Sequence, residues 1–141
     1  MNNHTNQTST YSSLLADLTK TINSEFTAIH CYEQLAAIAP NEEVKNRILE
    51  IRKDEMRHFQ TFSSIYLSLT GRHPSPQITE QCPTNFQKGV ISSFNDEQGA
   101  VDFYHEVARK HPIVMDVYNQ IAADEQNHAV WFLFFKVNYF S

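Results

Sequence analysis

Apolar residues recur at spacings of three and four in four separate runs. The first is Leu14, Leu18, Ile22, Glu25, Ile29, Tyr32 and Ala36. The second is Val44, Ile48, Ile51, Glu55, His58, Phe62, Ile65 and Leu69. The third is Phe86, Val90, Phe94, Glu97, Val101, Tyr104 and Ala108. The fourth is Val114, Tyr118, Ile121, Glu125, His128, Phe132, Phe135 and Tyr139. Such spacing marks a helix with one apolar face, so the pattern predicts four long helices. Pro40 stops the first, because proline lacks an N–H and clashes with the preceding turn. Gly71 is placed to cap the second. Thr84-x-x-Gln87 predicts a capping box opening the third. Pro112 suits the first turn of the fourth.

The first and third runs superimpose at a constant offset of 72, and Pro40 pairs with Pro112 in the same register. The second and fourth match at an offset of 70. The chain is therefore two copies of one helical hairpin. The short connection within each copy makes its helices antiparallel neighbours. Between the copies lies an aperiodic stretch, Arg72 to Pro83, holding three prolines. At roughly 3.3–3.6 Å per residue a dozen residues reach about 40 Å, close to a helix of about 30 residues at 1.5 Å each. The expected architecture is all-α: a four-helix bundle of two repeated antiparallel hairpins joined by a long crossover loop. That loop sets the second and third helices parallel.

Composition bounds the function. The chain has 141 residues, 41% of them apolar, which fits one domain with a substantial core. A formal charge of −5 argues against a nucleic-acid surface. Residues 1–11 are polar and without an apolar run, so a disordered tail is expected there, no signal peptide, and a bundle over 12–141. Cys31 and Cys82 form no Cys-x-x-Cys pair, which excludes a zinc ribbon or rubredoxin-type iron site. They are expected to be free thiols in a reducing, cytoplasmic compartment, with a disulfide between them left open. Near the C-terminal end Trp131, Phe134 and Phe140 fall off the core stripe. The apolar run is too short for a membrane span and holds Lys136 and Asn138, so a homodimer interface is the expectation.

Six residues break the apolar stripes at matching positions: Glu25, Glu55 and His58 in one hairpin, Glu97, Glu125 and His128 in the other. All face the core. Four buried carboxylates without partners repel one another and are costly. Two divalent cations balance their charge, and an oxygen- and nitrogen-rich set with open positions suits iron or manganese rather than structural zinc. Repulsion is expected to raise carboxyl pKa values in the metal-free protein, so glutamine at Glu55 or Glu125 should relieve strain. Asp54 and Asp124 precede the two Glu-x-x-His motifs and are candidate acceptors for the ring N–H of a histidine on the other hairpin. Tyr32 and Tyr104 are candidate donors to a ligand carboxylate.

One glutamate on each of two helices plus Glu-x-x-His on each of the others resembles the dinuclear centre of ferritin-like bundles. The motifs that carry the likeness are Glu25 with Tyr32, Asp54-Glu55-x-Arg57-His58, Glu97 with Tyr104, and Asp124-Glu125-x-x-His128. The chain is similar to rubrerythrin-type and bacterioferritin-type members without a rubredoxin module. The resemblance implies two iron ions per chain, Glu55 and Glu125 bridging them, Glu25 and Glu97 as terminal ligands, and one histidine on each metal. It implies ferroxidase or peroxidase chemistry with O2 or hydrogen peroxide and an external electron donor. The alternative is a non-enzymatic iron-binding or storage protein. Where rubrerythrins carry a further glutamate, this chain has Ala100, which puts a redox-linked ligand shift in doubt. No segment matches the fifth helix of cage-forming ferritins, so a small oligomer is expected. Met56 falls where bacterioferritin places its haem-ligating methionine.

Overall fold

The computed structural model describes residues 3–140, and side chains from Thr10 onward. Four helices follow one another: α1 (Asn3–Ala37), α2 (Glu42–Thr70), α3 (Phe86–Lys110) and α4 (Met115–Tyr139). A 3-10 turn, Pro112–Val114, precedes α4. Helix α1 runs back to Asn3, beyond the start expected near residue 12. Met1 and Asn2, within the tail expected over 1–11, lie outside the described residues.

The helix ends follow local chemistry. Asn41 Oδ1 accepts from the Val44 N–H at 2.9 Å and opens α2. Gly71 closes it with φ of 74°, a left-handed conformation that glycine takes without penalty, and its N–H donates to Leu67. The capping box expected at Thr84 is displaced by one residue. Asn85 caps α3 instead, its side chain accepting from the Lys88 N–H at 3.0 Å; asparagine is at least as good a cap as threonine. Pro112 does not enter α4 but opens the separate 3-10 turn, with His111 as the residue before it.

Long-range bonds fix the topology. Tyr11 Oη donates to the Leu69 carbonyl, so α2 ends beside the start of α1. The connecting stretch then climbs α1. The Gln77 N–H donates to Asn23 Oδ1 at 2.9 Å, and the Thr79 N–H to Thr27 Oγ1 at 3.0 Å. Cys82 forms a disulfide with Cys31. These anchors on α1 are four residues apart and so share one face. The expectation of free thiols is thereby corrected: the crossover route itself carries Cys82 to Cys31, 51 residues away in sequence. Helix α3 starts near the far end of α1, where a Cβ on Gly89 would lie 2.5 Å from Leu35. It runs back until Lys110 and His111 reach Asp17. Helices α2 and α3 are thus parallel, as the loop length predicts.

The core has two halves. Leu14, Leu18, Ile22, Phe62, Val107 and Tyr118 pack at one end. Leu35, Val44, Ile48, Val90, Phe132 and Phe135 pack at the other. Between them lie the glutamates and histidines of the stripes, all buried. The surplus aromatic surface expected on α4 is partly spent within the chain. Trp131 lies under the Arg47 guanidinium at 4.0 Å, and Phe140 packs edge-on against Phe86. What stays exposed is Phe134 with Val130, Leu133 and Val137, a stripe at helical spacing.

Candidate metal centre

Each helix contributes to the layer between the two core halves. Glu25 comes from α1, Glu55 and His58 from α2, Glu97 from α3, and Glu125 and His128 from α4. Two overlapping groups form. Glu25, Glu55, His58 and Glu125 offer ligand atoms all within 4.8 Å of one another, and so do Glu55, Glu97, Glu125 and His128. Glu55 and Glu125 belong to both groups. That sharing is what two neighbouring cations bridged by two carboxylates require.

The hydrogen bonding is selective. One oxygen of Glu97 accepts from Tyr32 Oη at 2.6 Å, and one of Glu25 accepts from Tyr104 Oη at 2.6 Å. His58 Nε2–H donates to Asp124 at 2.8 Å, and His128 Nε2–H to Asp54 at 2.8 Å. Each aspartate therefore serves the histidine of the other hairpin. Arg57 pairs with Asp54 from one turn away; its counterpart by the repeat, Asn127, has no charge to offer Asp124. With Nε2–H committed outward, each imidazole turns Nδ1 into the layer.

The atoms left over converge. Glu25 Oε2, Glu55 Oε1, His58 Nδ1, Glu97 Oε2, Glu125 Oε1 and His128 Nδ1 are all buried without a hydrogen-bond partner. His58 Nδ1 lies 2.9 Å from Glu125 Oε1, yet the alignment of a hydrogen bond is missing. Native interiors leave few polar atoms unsatisfied, and such a cluster needs an explanation. A pair of divalent cations supplies one, and the donor set fits them: four carboxylates and two imidazoles, with no thiolate.

The charge pattern is uneven. Burial, reinforced by the charge of Glu55, pushes the Glu25 carboxyl up to about 8. Burial and the field of Glu55 likewise raise Glu97 and Glu125. Burial would raise Glu55 too, but the His128 and His58 imidazoles beside it outweigh that and lower its carboxyl to about 2. Against the burial of the rings, Glu25 and Glu55 push His58 up to about 10, and Glu55 and Glu97 push His128 to about 11. Without metal, the ionised Glu55 carboxylate thus stands beside two imidazolium rings. Burial and repulsion thus raise Glu25, Glu97 and Glu125 as expected, and only the strain expected at Glu55 is corrected, where His58 Nδ1 and His128 Nδ1 approach to 3.2 and 3.4 Å.

A cavity of about 330 Å³ opens beside the cluster between α1, α3 and the crossover loop. Glu25, Glu97 and Glu125 line it, as do Ala100 and, on the loop, Thr79 and Glu80. Asp96 also lines it, its carboxyl pushed up to about 7 by burial and by the Glu80 carboxylate beside it. Sequence reasoning missed this wall, because an aperiodic loop gives no sign of the helix it will cover. Met56 stands apart, 38% exposed on the outer face of α2 among Lys53, Arg57 and Gln60. Among the described residues no helix is long and apolar enough to cross a membrane.

Fold and site together define a ferritin-like four-helix bundle with a paired carboxylate–histidine cluster. The bacterioferritin of Desulfovibrio desulfuricans, solved with its diiron site in different catalytic states, superimposes with a TM-score of 0.81 at 19% identity. The match covers 93% of this chain and 84% of that one. A hypothetical protein from Pyrococcus furiosus superimposes with a TM-score of 0.70 at 18% identity, over 91% and 92% of the two chains. No family model matches the sequence. The chain belongs to the family of the uncharacterized protein YhjR of Bacillus subtilis (strain 168), to which it is 48% identical over 124 residues, 86% of each.

Proposed function

We propose that the chain is a di-iron carboxylate protein that oxidises Fe(II) with O2 or hydrogen peroxide, as a ferroxidase or rubrerythrin-like peroxidase. The observation that carries this reading is the set of six unpartnered buried atoms, one from each of Glu25, Glu55, His58, Glu97, Glu125 and His128. Glu55 and Glu125 would bridge two ions, with Glu25 and His58 on one side and Glu97 and His128 on the other. Two ferrous ions held there supply two electrons to the oxidant. The protein's part is geometry. Tyr32 and Tyr104 tie down one oxygen of each terminal glutamate, Asp54 and Asp124 orient the imidazoles, and Phe62 and Phe132 seal the layer from both ends.

Iron storage without turnover is the second reading, favoured by the structural likeness to a bacterioferritin. Manganese suits the same donors. The deciding experiment is anaerobic titration with Fe(II), followed by O2 or hydrogen peroxide. Two ions per chain and oxidant consumption faster than in a Glu55→Gln, Glu125→Gln protein support the enzyme reading. Two ions without such acceleration support binding alone, and no bound iron overturns both. We also propose a cytoplasmic homodimer joined through Val130, Leu133, Phe134 and Val137. Light scattering at micromolar concentration should return a dimer, and Leu133→Lys should return a monomer; a wild-type monomer refutes it.

A further inference from the structure

The Cys31–Cys82 disulfide stands where the crossover loop closes on the cavity beside the cluster. Cys31 lines that cavity together with Glu25, Glu97 and Glu125. Both cysteines are partly exposed, so a soluble thiol can reach the bond from outside. The next residue on α1, Tyr32, donates its hydroxyl to Glu97 at 2.6 Å. A continuous covalent and hydrogen-bonded path thus joins the sulfurs to a residue of the cluster. The loop does not depend on sulfur for its course, because Asn23 and Thr27 already hold it to the same face of α1.

We propose that Cys31 and Cys82 form a redox couple that returns an oxidised metal pair in the cluster to its reduced state. This rests on the reading of the cluster as a di-iron centre. The balance is simple. The two thiols lose two protons and two electrons as the S–S bond forms, and the two electrons convert two Fe(III) to two Fe(II). One dithiol therefore matches one metal pair. An external dithiol reductant then attacks the partly exposed disulfide, regenerates both thiols and leaves as a disulfide itself. Electrons enter at the protein surface, and the donor need not reach the buried metals. The sequence holds two cysteines in all, so the pair has no competing thiol in the chain.

The test uses the full chain, reduced, freed of reductant under anaerobic conditions and loaded with two Fe(II) per chain. Iron is counted first. One equivalent of hydrogen peroxide is then added, and free thiols are followed by maleimide mass shift beside Fe(II) by a colorimetric chelator. The expected result is loss of both thiols with return of the iron to Fe(II). Cys82→Ser and Cys31→Ser should hold the iron as Fe(III). The Glu55→Gln, Glu125→Gln protein, without the metal pair, should keep its thiols under the same peroxide. Iron that stays Fe(III) while both wild-type thiols remain free overturns the proposal. So does thiol loss as fast in the glutamine protein, which means peroxide attacks sulfur directly. The wild-type thiol count stands whether or not the serine variants fold. A chain that binds no iron fails at the first count and removes the di-iron reading, and this inference with it.

Discussion

Tyr32 on α1 donates its hydroxyl to Glu97 on α3, although Glu97 is 65 residues away and Glu25 is one of its own helix. Tyr104 on α3 returns the arrangement by donating to Glu25. Each tyrosine lies seven residues after the glutamate of its own helix and serves the glutamate of the other. The two hairpins are thereby locked across the bundle at the level of the cluster. Burial and the nearby glutamates raise both phenols well above their ordinary range, so they stay neutral donors. Each fixes one carboxylate oxygen and leaves the other turned into the layer.

Tyr32→Phe should therefore free a buried oxygen of Glu97, and Tyr104→Phe one of Glu25. A loss of about 1–3 kcal/mol is expected for each without metal, read by denaturant unfolding. Metal affinity should fall by roughly 10–100-fold, read by competition with a chelator. If affinity is unchanged in both variants, the tyrosines are packing residues and do not position ligands.

Asp54 and Asp124 act on the histidines from opposite hairpins, and only Asp54 is braced by an arginine. An aspartate held in place orients its ring better than one that must be ordered on binding. Asp54→Asn and Asp124→Asn should each weaken metal binding by roughly 10–100-fold, with the larger loss at Asp54. Arg57→Ala should recover part of the Asp54 effect and leave His58 undisturbed. Ring proton signals of the two histidines in NMR spectra at neutral pH separate these outcomes.

Glutamine substitution should act in opposite directions at the two shared glutamates. Burial, reinforced by the charges of Glu55 and Glu97, raises Glu125, so folding favours its protonated form and costs about 1.4 kcal/mol for each pH unit above the unfolded value, up to the folded one. Glu125→Gln removes that cost and should raise the melting temperature of the metal-free protein. Glu55 is the charged partner of two imidazolium rings. Glu55→Gln removes the buried carboxylate between the two rings, leaving His58 and His128 only their outer partners Asp124 and Asp54 as firm hydrogen-bonded charges, and should cost on the order of 3 kcal/mol. Both variants should lose two-metal binding. Melting curves that shift the same way for both would show that the charge is shared evenly.

The pH dependence follows from the same groups. Glu25 is raised from 4.5 to about 8, so its contribution to stability is complete below 4.5 and is lost as pH rises through 8. His58 and His128, raised from 6.5 to about 10 and about 11, contribute fully below 6.5 and lose it only through those higher values. Glu55, lowered to about 2, contributes above 4.5 and loses it as pH falls through 2. The metal-free protein should therefore melt progressively lower from about pH 4.5 to 8. Metal must displace the protons on Glu25, His58 and His128, so loading at pH 7 should release protons and flatten that decline. A pH-indicator titration that detects no release contradicts this charge assignment.

Helical periodicity made much of this molecule legible in the sequence by itself. It sets which side chains share a face, so four helices, their duplication and the inward placement of Glu25, Glu55, His58, Glu97, Glu125 and His128 could all be read from spacing. Loop length added the parallel course of α2 and α3. Periodicity constrains a helix only about its own axis, however, and not against its neighbours. Which glutamate meets Tyr32, and how the loop carries Cys82 to Cys31, are distances across the bundle, decided only when the helices pack. Trp131 was free to face outward by its register, and only the packed bundle set Arg47 over it. Charge is likewise a sum over space. Four glutamates on equivalent stripes look alike in sequence, but in the packed bundle the two imidazoles lower Glu55 while burial raises Glu25 and Glu125.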